Sequence, residues 1–184
     1  NQSAFDLAMQ TSDRLRQIVP PATEAGSVIR DAAVFRDNVL RNALTTASLA
    51  AIRTGRYGEA EAAARERQTL PPNPYSELDP RDEKSRAQVT LAHAIVLQGR
   101  FADARQVTET EVARYRDELQ GGASGLSFTK DFAYALYVDA LARPAGDSRR
   151  AANLAEASKQ LNSLSAEANQ LLDIRELRGW IAAA

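Results

Sequence analysis

The chain contains no cysteine. Disulfides, thiolate metal sites and cysteine nucleophiles are therefore excluded, and this absence fits any compartment. Histidine occurs once, at His93, so no second imidazole or thiolate can complete the ligand set that most transition metals need. No metal and no cofactor is expected. Lysine is restricted to Lys84, Lys130 and Lys159, and a net charge of −1 provides no basic footprint for nucleic acid. No run approaches the roughly 18 apolar residues of a membrane span. The opening on Asn1 rather than methionine reads as an excised or processed chain, a piece of a larger protein, which leaves room for upstream targeting or anchoring segments.

Catalytic patterns are also missing. No GxSxG-like setting supplies a nucleophile for His93 to activate. The carboxylate pairs Asp82/Glu83 and Asp117/Glu118 adjoin expected helix ends and exposed faces, where the helix dipole and solubility explain them. The glycine-rich string QGGASGLS at 120–127 lacks the Gly-Lys-Ser/Thr ending of a phosphate loop and reads as an interhelix connection. The chain is expected to be noncatalytic.

What is present favours helices. Of 184 residues, 44% are hydrophobic and 26% charged, with abundant alanine, which suits a soluble all-α protein. A single domain of this length buries roughly 70% of the surface of its unfolded chain. Acids and arginines alternate in Glu59, Glu61, Arg65, Glu66 and Arg67, the pattern of a solvated helix face laced by ion pairs.

One hairpin is written twice. Residues 42–72 read as an apolar helix, a Gly-Arg-Tyr turn, an alanine-rich helix and a double proline. Residues 88–104 repeat the turn as Gly-Arg-Phe. Gly55 and Gly99 end apolar-periodic runs where a positive φ closes a helix. Tyr57 or Phe101 follows two residues later, and then Ala60 or Ala104, small enough for two helices to approach closely.

On Leu44, Ala47, Ser48, Ala51, Gly55, Tyr57, Ala60, Ala64 and Pro72, and on Leu91, Ala92, Ile95, Gly99, Phe101 and Ala104, the chain resembles the tetratricopeptide repeat (TPR) family of helical hairpins. The resemblance implies a right-handed α-solenoid over residues 1–184, with repeat units at 41–72 and 85–119, a degenerate third unit at 128–164 and a capping helix at 166–181. Gly55 and Gly99 are further apart than the family's unit of about 34 residues, so a longer loop, 69–79, is expected between them. The second copy lacks the closing proline and has Gln88 where a large residue is usual.

Along the chain, Ser3 and Asp6 read as a capping box opening a helix over 4–18, stopped by Pro20 and Pro21. A long helix follows over 27–54, with a break at Asp37 or Asn38 as the alternative. A helix over 58–68 buries Ala60, Ala63 and Ala64. Asp79, Pro80, Asp82 and Glu83 form a helix start, and that helix runs to Gln98. Its partner over 102–119 turns Ala104, Val107, Val112, Tyr115 and Leu119 inward. The aromatic segment 128–141, apolar nearly all round, is expected between neighbours. Residues 143–147 form the next turn and 148–164 the next helix. The last helix presents Leu171, Leu172, Leu177 and Trp180 to the stack.

Carried over by residue, the family's concave face offers Asn42, Thr45, Leu49, Ile52 and Arg53, then Arg86, Val89, His93, Val96 and Leu97. Thr45, Leu49 and Val89 break the family's carboxylate clamp, leaving a mixed groove suited to a helix or an apolar peptide of a protein partner. Against that stands a plain role in packing, which for His93 is the stronger reading. The alternatives to an interaction scaffold are a homodimer with its seam along 27–54 and, last, a helical enzyme using His93 or Asp82/Glu83.

Overall fold

In a computed structural model, residues 2–18, 26–71, 73 and 79–184 are described. The secondary structure of the described residues is helical without strands. They form two compact units, residues 1–94 and 95–184, the division falling near the end of one helix.

In the first unit, α1 (Gln2–Gln17) lies along α2 (Gly26–Arg53), which folds back onto α3 (Tyr57–Thr69). α2 runs unbroken through Asp37 and Asn38, because the Asp37 carboxylate accepts from the Arg36 guanidinium at 2.7 Å instead of competing for the backbone. Leu40, Leu44, Ala47 and Ala51 of α2 are buried, as are Ala60, Ala63 and Ala64 of α3, whose small side chains permit close contact. Phe5 and Ala8 seal α1. Arg16 grips Glu66 of α3 through two hydrogen bonds of 2.7 and 2.5 Å, and the Arg56 guanidinium lies 3.8 Å from the centre of the Phe5 ring. The expected capping box at Ser3 and stop at Pro20 and Pro21 lie outside the described residues and side chains, as do most of the 69–79 loop and Pro72.

α4 (Pro80–Leu97) starts as its sequence dictates. The Asp79 carboxylate accepts from the Arg81 N–H at 2.7 Å, with Pro80 at the first helical position. Arg41 ties α2 to this helix through Glu83, 3.6 Å away.

Both repeated turns adopt one geometry. Gly55 has φ +75° and Gly99 φ +79°. In the first, the Gly55 N–H donates to the Ile52 carbonyl and the Arg56 N–H to the Ala51 carbonyl. In the second, Gly99 donates to Val96 and Arg100 to Ile95. This is the Schellman closure, which satisfies otherwise orphaned helix carbonyls. The arginine of each turn then forks onto the acid three residues on, Arg56 to Glu59 and Arg100 to Asp103.

The second unit is built on α6 (Leu126–Leu141), which packs against α5 (Phe101–Gln120), α7 (Ser148–Asn162) and α8 (Leu172–Ala183). Phe132, Ala133, Ala135, Leu136, Val138 and Ala140 are fully enclosed, as expected of a helix apolar on almost every side. Tyr115 of α5 stacks on Phe132 and meets Phe128 edge-on, both at 5.6 Å between ring centres. Tyr134 and Tyr137 meet Trp180 of α8 at 6.3 and 6.0 Å.

Two expectations are corrected here. The last helix is interrupted: Ala168–Gln170 is a single 3-10 turn and Leu171 is extended, with ψ 135°. The Ser165 hydroxyl accepts from the Ala168 N–H at 3.2 Å, a local cap that opens a short element of its own. In consequence Leu171 and Leu172 are 44% and 80% exposed, and Ile174, Leu177 and Ile181 seal α8 instead. Leu119, expected inward, is 39% exposed in the last turn of α5. No helix among the described residues is long and apolar enough to cross a membrane.

Candidate functional site

The residues assigned to a groove divide sharply by access. On α2, Asn42 and Arg53 are exposed and Thr45 and Leu49 half-buried, while Ile52 is buried. Spaced three to four residues apart, Asn42, Thr45, Leu49 and Arg53 lie on one face of that helix. On α4, Arg86 and Leu97 are partly accessible, but Val89, His93 and Val96 are only 1%, 2% and 4% exposed. Residues 89–96 are buried without interruption, and a stretch of that length covers every side of a helix with about 3.6 residues per turn. No groove face survives there, so Ile52, Val89, His93 and Val96 are corrected from contact residues to core.

His93 shows what that burial does. Loss of solvation pushes its pKa down from 6.5 to about 3, so the ring is neutral at physiological pH. Neither a cationic anchor for an acidic peptide nor a proton shuttle open to solvent is available from it.

The main polar cluster lies elsewhere, at Asp139 of α6, which is 1% exposed. One carboxylate oxygen accepts from the Thr108 hydroxyl at 2.7 Å; the other accepts from the Arg143 Nε at 2.7 Å and from the Asn153 Nδ2 at 2.6 Å. Arg143 also donates to Glu109 at 2.8 Å, and Arg116 links Asn153 to Glu156. Desolvation opposes the charge on Arg143, but hydrogen bonds and attraction from Asp139 and Glu109 prevail and raise its pKa. Arg143 Nη2 is a fourth donor, 3.4 Å from the oxygen that Thr108 meets, so the acceptor sites of this buried carboxylate are taken up within the protein and the cluster acts as a clamp fixing α5, α6 and α7 in register. The signal was in the sequence: Asp139 and Arg143, one helical turn apart, close the most apolar helix.

A cleft of about 620 Å³ opens at one end of the second unit. Ser124, Gly125, Leu126 and Thr129 form one wall, and Ser163, Leu164, Ser165, Glu167, Ala168 and Leu171 the other. Gly125, with φ +106°, occupies the N-cap of α6 and offers no side chain to the first-turn N–H groups. The glycine-rich loop thus serves as an interhelix connection that also forms one lip of a cleft. A second groove of about 440 Å³ runs between α7 and α8. There Arg178 is occupied by the Leu161 carbonyl and by Asn162 and Asn169, closing the end of α7. Comparison with protein-family models, with curated proteins and with solved structures gives no match.

Proposed function

We propose that the chain is a noncatalytic helical-repeat module of TPR-like design that holds a protein partner. The observation that carries this reading is the hairpin turn built twice, with Gly55 and Gly99 in the same conformation, the same pair of closing hydrogen bonds and the same arginine-to-acid fork. A turn reused in this way is the signature of stacked αα-hairpins, whose curved walls serve for binding. The contact surface supported by side-chain access is the α2 face formed by Asn42, Thr45, Leu49 and Arg53, with Arg86 of α4 as a further anchor. Leu49 supplies the apolar centre and the arginines the polar rim, a combination suited to an amphipathic helix or extended peptide with acidic flanks.

The test is photocrosslinking in the native cell. A crosslinker at Thr45 or Leu49 captures one discrete partner, whereas one at exposed Arg149 does not. Equal capture from both positions, or saturable turnover of a small molecule by the purified chain, overturns the reading. A homodimer through α2 is the second reading, favoured by Phe35 of that helix, which is 70% exposed. Light scattering that shows a monomer at high concentration removes it.

A further inference from the structure

We infer that the larger cleft of residues 95–184 is an interface between two copies of this chain, in which Leu172 of each copy enters the cleft of the other and Arg175 pairs across a two-fold axis with Glu167. This surface shares no residue with the α2 face proposed above for a partner.

Apolar exposure gathers at this opening. Leu126 and Leu171 line opposite walls of the cleft and are 42% and 44% exposed. Leu172, the next residue in the chain, is 80% exposed at the first position of α8. Single leucines on a surface need no explanation, but three at the mouth of one cleft of about 620 Å³ make a contiguous patch that water solvates poorly.

The charges around the patch say what covers it. Glu167 lines the cleft, and among the described residues no cation pairs with it. Its own backbone N–H and the Ser165 hydroxyl hold its carboxyl below the usual carboxylate range, so it is charged. On α8, Asp173 is taken by Lys130 at 2.7 Å, while Arg175 is exposed and forms no ion pair among the described residues. Leu172 and Arg175, three residues apart, share one face of that helix. An anionic partner would answer Arg175 but meet Glu167, and a cationic partner the converse. A second copy answers both. As Leu172 enters the cleft of the other copy, Arg175 arrives beside the Glu167 that lines it, and the two-fold axis repeats the pair. The contact is small beside the roughly 1,200–2,000 Å² of a stable interface, so the association is weak and reversible.

The test is sedimentation velocity of the full chain over a concentration series. A monomer–dimer equilibrium is expected, with a midpoint of roughly 10–100 µM. Leu172→Asp weakens it by at least about a hundredfold, because the change counts twice in a symmetric contact. Phe35→Asp on α2 leaves it unchanged. Glu167→Arg and Arg175→Glu each weaken it by about tenfold, and the two together restore most of the loss. Circular dichroism checks the fold of each variant, and the charge exchange tests the contact without touching a leucine. A chain that stays monomeric to about 1 mM overturns the inference. So does a dimer that Phe35→Asp dissolves and Leu172→Asp leaves intact, or growth beyond the dimer, which no closed two-fold contact permits. A double charge variant no better than either single one refutes the pairing of Arg175 with Glu167.

Discussion

The burial of His93 makes the stability of this protein depend on acid in a calculable way. The folded chain holds the ring with a pKa of about 3, while the unfolded chain returns it to 6.5. Between those values the unfolded state binds the proton and the folded state does not, so stability must fall as pH falls through the window. Above pH 6.5 the contribution is fully present, and below about pH 3 no further loss arises from this residue. At about 1.36 kcal/mol per pKa unit, the loss between pH 7 and pH 5 is about 2 kcal/mol, and by pH 4 it reaches about 3 kcal/mol. Carboxylates titrate in the same range, so the assay is a difference. Urea unfolding is followed by circular dichroism for the unaltered chain and for His93→Gln, which keeps a polar side chain of similar size but cannot take up the proton. The gap between the two unfolding free energies should change by about 2 kcal/mol from pH 7 to pH 5, against the unaltered chain. Parallel pH profiles would show that His93 is solvated in the folded chain and would refute the reasoning.

Further outcomes follow from the turns and the clamp. Gly55→Ala and Gly99→Ala should each cost about 1–2 kcal/mol, because both positions have φ near +75° to +79°, whereas Gly58→Ala, at a helical glycine with open space beside it, should gain about 0.5–1 kcal/mol. Thermal unfolding separates the two signs, and equal effects at all three sites would contradict the assigned turn geometry. Asp139→Ala should destabilise by about 3–5 kcal/mol, since it strands the Arg143 guanidinium, Asn153 and Thr108 together. Trp180, the single tryptophan, stacks on Tyr137 in the same unit and reports the loss as an earlier fluorescence transition; a shift of under about 1 kcal/mol would mean the cluster is solvated.

Helix placement was legible because its signals are local. Glycine at 55 and 99, the Asp79-Pro80 start and the apolar circumference of α6 act within a few residues, and each marks the boundary or environment observed. The 3-10 interruption was less legible, since Leu171 and Leu172 continue an apolar pattern and only the Ser165 cap diverts the backbone. The candidate sites were the least legible. Val89, His93 and Val96 have the helical spacing of a contact stripe, but periodicity says which residues share a face and not what covers that face.

The sequence by itself determined the helical secondary structure, the two glycine-closed turns and the absence of cysteine chemistry, because helix and turn conformation depend on neighbouring residues and composition is read directly from the chain. Tertiary structure decided that residues 89–96 are enclosed and that Asp139 is buried among three donor residues. Burial and hydrogen-bond satisfaction depend on side chains far apart in sequence, and no local pattern encodes which helix comes to lie against which.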